Sequence, residues 1–212
     1  MTKTLVIAVV GLALSSSVAH DQMCQGRASF RDTSTQVSVG GAFQTGASEF
    51  GVGVRGGGDQ VFGGVGASIV NYSDLGTSSK VVSGNIGQDY WVDRVHVCPN
   101  VEAAYSFGPN VGDVTVNGLS FLGAVNVGVP VTDWDLLNVV PTFGGGVLYQ
   151  RTKASLGGVD QTSSQTGGLA MIGVGVVLNR RIAIVPLVEI PIGFTQNNRI
   201  FDITLAFNFG QR

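Results

Sequence analysis

The sequence predicts an all-β chain closed as an antiparallel transmembrane β-barrel of about ten strands, behind a cleaved signal peptide. Three observations carry this expectation. Charged residues make up 12% of the chain and hydrophobic residues 44%, whereas soluble domains carry about 25% charge. Beyond the N-terminus no run approaches the ~20 consecutive apolar residues that a spanning helix needs. The apolar residues instead alternate with Gly, Ser, Asn and Thr, which suits strands with one face toward lipid and the other toward a lumen.

Residues 1–19 read as a signal peptide. Lys3 is a short basic region, Leu5 to Leu14 is an apolar stretch of suitable length, and Ser17-Val18-Ala19 places small residues before a cleavage point after Ala19. Cys24 does not follow a lipobox, because Asp21-Gln22-Met23 are neither small nor apolar. Residues 20–33 are expected to form a periplasmic N-terminal segment and 34–209 the barrel. The formal charge of −2 becomes one unit more negative once Lys3 leaves. With no basic patch there is no case for nucleic acid.

The strand signal is cleanest at the C-terminus. Phe201, Ile203, Leu205, Phe207 and Phe209 alternate with Asp202, Thr204, Ala206 and Asn208, a period of two that no helix face reproduces. Before it, Ala170, Ile172, Val174, Val176 and Leu178 share one face, with Met171, Gly173, Gly175 and Val177 on the other. A weak repeat places Pro99, Pro141 and Pro186 in similar apolar settings after charged turns. Proline lacks a ladder donor, so it suits a strand's opening residues or a bulge.

Ten strands result, at about 34–44, 48–57, 60–72, 79–90, 94–107, 116–130, 137–151, 167–178, 182–194 and 199–209; eight strands, with the first hairpin misread, is the alternative. In this register the short turns fall on the side of the termini. The longer connections, above all the Ser/Thr/Gln/Gly-rich 152–166, fall on the other. Tyr90, Trp91, Trp134 and Phe209 sit at inner strand ends, and Tyr72, Tyr105, Phe107, Tyr149, Phe194 and Phe201 near outer ends, as an aromatic girdle requires.

The signal peptide, the glycine-rich alternating strands and the closing run Ile200 to Phe209 together resemble the OmpA-like/Opa-like small barrels of bacterial outer membranes. The resemblance covers about residues 28–209 and is one of pattern rather than motif. It implies export through the Sec pathway and residence in outer-membrane lipid. It also implies insertion by the barrel assembly machinery, with Phe201, Ile203, Leu205, Phe207 and Phe209 as the assembly signal. Gly210-Gln211-Arg212 depart from the pattern, in which the aromatic is the last residue.

Strand parity sends Glu102, Glu189, Arg55, Arg94 and His96 toward the lumen. Carboxylates there need pairing or hydration, so these residues are expected to form a polar network filling a narrow barrel. A cation-preferring pore or small-ligand carrier using Glu102 and Glu189 is the alternative. Catalysis is not expected: there is no Gly-x-Ser-x-Gly elbow, and no metal-ligand spacing or cofactor motif. The glycine triplets at 56–58 and 144–146 lack the Lys-Ser/Thr of a phosphate loop. Cys24 and Cys98, exported to an oxidising compartment, are candidates for a disulfide. The expected role is structural or surface-interacting, with 152–166 as the contact surface.

Overall fold

Each segment in which apolar and polar residues alternate forms a β-strand, and glycine or Asx-rich breaks form the turns between them. The structure, a computed structural model, describes residues 23–27, 35–58, 61–132, 136–194 and 198–210. The expected signal peptide, residues 20–22 and 28–33 of the expected N-terminal segment, and Trp134 lie outside the described residues.

The strands are β1 (Thr35–Gln44), β2 (Ala47–Gly57), β3 (Val61–Tyr72), β4 (Thr77–Gln88), β5 (Tyr90–Val92), β6 (Val95–Val111), β7 (Val114–Gly128), β8 (Leu137–Leu156), β9 (Val159–Leu178), β10 (Ile182–Ile192) and β11 (Ile200–Phe209). β4 and β5 are two pieces of one barrel strand, separated by Asp89, and both pair with β6. Neighbours in sequence pair antiparallel all the way round, and β1 closes on β11. The result is a closed ten-stranded barrel, not an eight-stranded one. Closure gives every strand two partners over most of its length and leaves no sheet edge in the wall.

Side chains sort by parity. Val37, Val39 and Phe43 of β1 point out, as do Phe50, Val52 and Val54 of β2 and Val65 and Ile69 of β3. So do Ile172 of β9, Ile184 and Ile190 of β10, and Phe201, Ile203 and Phe209 of β11; many of these are more than a third exposed. The alternate set, including Gln36, Ser38, Arg55, Asn100, Glu102, Asn126, Thr204 and Asn208, is buried. The polarity of an ordinary globular protein is thereby inverted: apolar outside, polar and small within.

Two prolines of the repeat mark gaps in the ladder. The β4–β6 pairing stops at Gly87↔Asn100 and resumes as β5–β6 at Tyr90↔Val97, with Pro99 in the interval. The β9–β10 register skips from Ile184↔Val176 to Leu187↔Gly173, with Pro186 in the interval. A residue without an N–H sits where no ladder bond is made.

The structure corrects three expectations. The segment 152–166 is not a loop: β8 runs to Leu156, β9 begins at Val159, and a two-residue Gly157-Gly158 turn joins them. Both glycines have positive φ (57° and 83°), as the turn matching strand twist requires. The Ser/Thr/Gln run read as loop by composition is an alternating strand that is polar on both faces. Likewise 108–115 is a tight hairpin turning at Gly112-Asp113, with a bulge between Phe107 and Asn110. Finally, Tyr72 and Phe194 point inward and are buried. They belong to the packed lumen rather than to an outer girdle, which instead includes Phe43 against Phe50 (5.6 Å between ring centres), Tyr105 against Phe107 (4.7 Å), and Phe121 stacked on Tyr149 (6.5 Å).

A side chain at Gly157 would force left-handed backbone costing about 1–2 kcal/mol. Gly157→Val is therefore expected to raise amide hydrogen exchange across 152–164 while leaving exchange in the barrel wall unchanged. Equal loss of protection in both regions would contradict an independently opening hairpin.

Candidate functional site in the barrel lumen

The concave interior is filled by an inserted segment and by side chains of the wall. The expected contrast of short turns on the terminus side and longer connections opposite does not hold: residues 129–136 join β7 to β8 on the terminus side, and two-residue turns lie opposite. At the end where β1 begins and β11 finishes, residues 23–27 lie inside the barrel as a 310 turn (Met23–Gln25) packed against β6, β7, β8 and β9. Cys24 and Cys98 are bonded there, with Cα atoms 5.9 Å apart, and both are completely buried. Phe62 completes the apolar cluster around them. Gly26 has φ 79° and lies on the backbone of Gly175 so closely that a Cβ on either residue would collide with the other. That contact falls at the ladder gap opposite Pro186. Glycine at 175 thus has a specific use: the strand gives up a side chain so that a second backbone fits against it.

Polar groups tie this plug to the wall. Arg27, 2% exposed, donates to Gln36 Oε1 at 3.3 Å; Gln36 Nε2 donates to Asn208 Oδ1; Asn208 Nδ2 donates to the Arg180 carbonyl at 3.1 Å. The chain of contacts links the N-terminal segment to β1, β11 and the β9–β10 turn. Beside it Asn126 donates to Asn100 at 3.1 Å and Thr204 to Asp202 at 3.0 Å. Asn126 Oδ1 occupies the space a Cβ at Gly144 would need. His96 Nδ1 lies 3.2 Å from Asp89 Oδ1, and that oxygen is also 3.7 Å from Cys98 Sγ. The cavity left between plug and wall, lined among others by Gln25, Arg27, Asp202 and Thr204, holds about 20 Å³. That is room for about one water molecule.

A row of lumen residues starts next to Gln36: Arg55, Gly64, Asn85 and Glu102 stand side by side across β2, β3, β4 and β6. Arg55 lies flat over Gly64, where a Cβ would strike its Cγ. Its charge acts on Glu102 across the gap. Glu49, 5% exposed, faces the same space from β2, two residues along from the Gly51↔Ser68 pair. Above these, Ala47, Val70, Tyr72, Val81 and Ala104 form one apolar cluster. Leu122, Ala124, Leu148, Leu169, Met171 and Phe194 form another. Phe194 covers Gly167, whose missing side chain makes the space for its ring.

Of the residues expected to share the lumen, Arg55 and Glu102 come together. Glu189 is 1% exposed on β10, in register with Met171 and Ile200. His96 belongs to the plug end with Asp89. Arg94 is at the solvent-exposed turn between β5 and β6, apart from the buried groups, because parity alone does not say where a strand has already left the wall. Arg27, Gln36, Glu49 and Asp89 were missed by the sequence reading. Inward parity was the signal that could have found Gln36 and Glu49, whereas Arg27 precedes the first strand, where no alternation exists to read.

No protein-family model matches the chain, and no curated protein matches it. Among solved structures, the chain is similar to the N-terminal β-barrel domain of Pseudomonas aeruginosa OprF (13% identity, 84% of this chain and 98% of that one, TM-score 0.43). It is similar also to the attachment invasion locus protein Ail of Yersinia pestis (11%, 84% and 98%, 0.43) and to Neisserial surface protein A (17%, 82% and 97%, 0.43). No residue role carries across at these identities.

A disulfide closing a loop of this length contributes roughly 2–5 kcal/mol. Cys24→Ser, or a reducing agent added to the wild type, is expected to lower the unfolding free energy in detergent by that amount. Mass measurement of the non-reduced protein is expected to find no free thiol; two free thiols would contradict the bond.

Proposed function

We propose that the chain spans a bacterial outer membrane as a closed-lumen barrel with a structural or surface-interaction role and no catalysis. One observation carries the reading: the outward face of the wall is a band of exposed Val, Ile, Leu and Phe, while the buried polar groups face inward. In water such a band would aggregate. In hydrocarbon it is the required surface, and closure satisfies the backbone. An even count of antiparallel strands belongs to single-chain outer-membrane barrels. The filled lumen supports a non-conducting role. The ribbon of β6 to β9 rising past the band supports presentation of a surface on the side opposite the inserted N-terminal turn.

The pore reading has its own supporting observation: the lumen is stopped at one end by a chain segment, tied to the wall by one disulfide, rather than by the wall itself. Planar-bilayer recording separates the two. Silence of the oxidised wild type and of Glu102→Gln supports the closed barrel. Steady conductance in the wild type that shifts with Glu102→Gln replaces it with the pore.

The membrane reading has a further consequence. Val65, 66% exposed, sits midway along the outward face of β3. Val65→Arg is expected to cost about 2–4 kcal/mol of stability in lipid vesicles, against about 0.5 kcal/mol or less for Gln161→Arg in the projecting hairpin. Equal small effects at both sites would place the band in water.

A further inference from the structure

We infer that the outer part of β9, residues 159–166, is a docking edge for an extended, uncharged peptide segment of another protein, added as a further β-strand. The inference rests on the surface-interaction reading above and specifies how the surface binds.

β9 pairs with β8 from Val159 onward, but its pairing with β10 begins only at Gly168↔Ile192. Among the described residues no strand pairs with the other side of 159–167. At about 3.3 Å per residue, this edge runs roughly 30 Å beyond the closed wall. The Gly157-Gly158 turn fixes which groups it offers. A two-residue turn of this kind makes Leu156 and Val159 a hydrogen-bonded pair, and such pairs then alternate along the hairpin. Val159, Gln161, Ser163 and Gln165 therefore spend their N–H and C=O on β8. Asp160, Thr162, Ser164 and Thr166 direct theirs to the open side. The phase agrees with the other end of β9, where Arg181 N donates to the carbonyl of the even-numbered Leu178, on the β10 side, at 2.9 Å.

The edge lacks the usual defences. It contains no proline, lysine or arginine and no bulge interrupts its register, whereas exposed edges are ordinarily blunted by such features. Its only charge, Asp160, is already met by Lys153 at 2.7 Å and Ser155 at 2.7 Å, contacts that hold the Asp160 carboxyl below the usual range. An edge that is neutral along its length suits a neutral strand, because an unmatched charge beside it would gain nothing and lose hydration. A second copy in the same membrane does not fit. The two-fold axis relating two barrels stands along the membrane normal, and strands in such barrels tilt by 35–45°. That axis turns one such strand steeply across its mate instead of antiparallel to it. Main-chain hydrogen bonds then provide affinity and the side chains on either face of the added strand provide selectivity.

The test separates backbone from side chain. A display library of random twelve-residue peptides is panned on the wild-type barrel in detergent micelles, and enriched peptides are measured against two double variants. Thr162→Pro with Ser164→Pro removes two open-side N–H groups without touching a bond to β8; Thr162→Ala with Ser164→Ala keeps both. Heat-modifiable gel mobility checks that each variant is folded. Enriched peptides of low net charge that bind the alanine variant within about threefold of wild type, lose at least tenfold on the proline variant, and slow amide exchange at 160, 162, 164 and 166 support the edge. Peptides that bind the proline variant as well as the wild type overturn it while leaving a surface-interaction role intact at another site. No enrichment also overturns it, and steady wild-type conductance in the bilayer recording removes the role beneath it.

Discussion

The antiparallel pairing of β1 with β11, from Thr35↔Phe209 to Phe43↔Phe201, is the contact on which the other features depend. Without it the sheet has two raw edges, and a wall of backbone donors and acceptors cannot enter hydrocarbon. With it the strands curve into a ring, the odd-even alternation of each becomes an outside and an inside, and the inside becomes a small closed volume. The buried Arg55, Glu102 and Glu189 are tolerable only because the ring turns them toward the lumen rather than lipid. The closing strand is therefore both the last piece of wall and the condition for a polar interior.

That interior is filled by complementary gains and losses of side chains. Gly64 yields to Arg55, Gly144 to Asn126, Gly167 to Phe194 and Gly175 to the backbone at Gly26. Large residues lie over glycines of neighbouring strands, so the high glycine count is in part a packing device as well as a matter of turns. A ten-stranded ring leaves little spare volume, and the inserted N-terminal turn takes up much of the remainder at one end.

Most of the wall was legible in the sequence because a period of two reports one local property, which side faces lipid. The run Phe201 to Phe209 gave both strand and direction, and counting back from it reached the right number. Legibility ended where that contrast ended. The segment 152–166 has no apolar face, so its alternation carries no hydropathy signal, and only the paired glycines at 157 and 158 marked the turn. Inward parity found Glu102 and Arg55 but gave no height or neighbour. It therefore grouped Arg94 with them, although Arg94 lies at an exposed turn. The N-terminal turn was invisible as an insert because five irregular residues have no period, and Cys24 alone hinted that the segment returns to the wall.

The unequal lengths of the strands give the molecule a direction within the membrane plane. β1 to β3 end after ten to twelve residues, whereas β8 and β9 run for twenty. The outer rim is consequently a slope, low over β1 to β3 and high over β7 to β9, like a collar turned up on one side. Anything approaching the mouth sideways meets a screen from one quarter and an open threshold from the other. Molecules gathered around such a barrel are thus sorted by the side from which they arrive, even though the wall beneath the rim is nearly uniform.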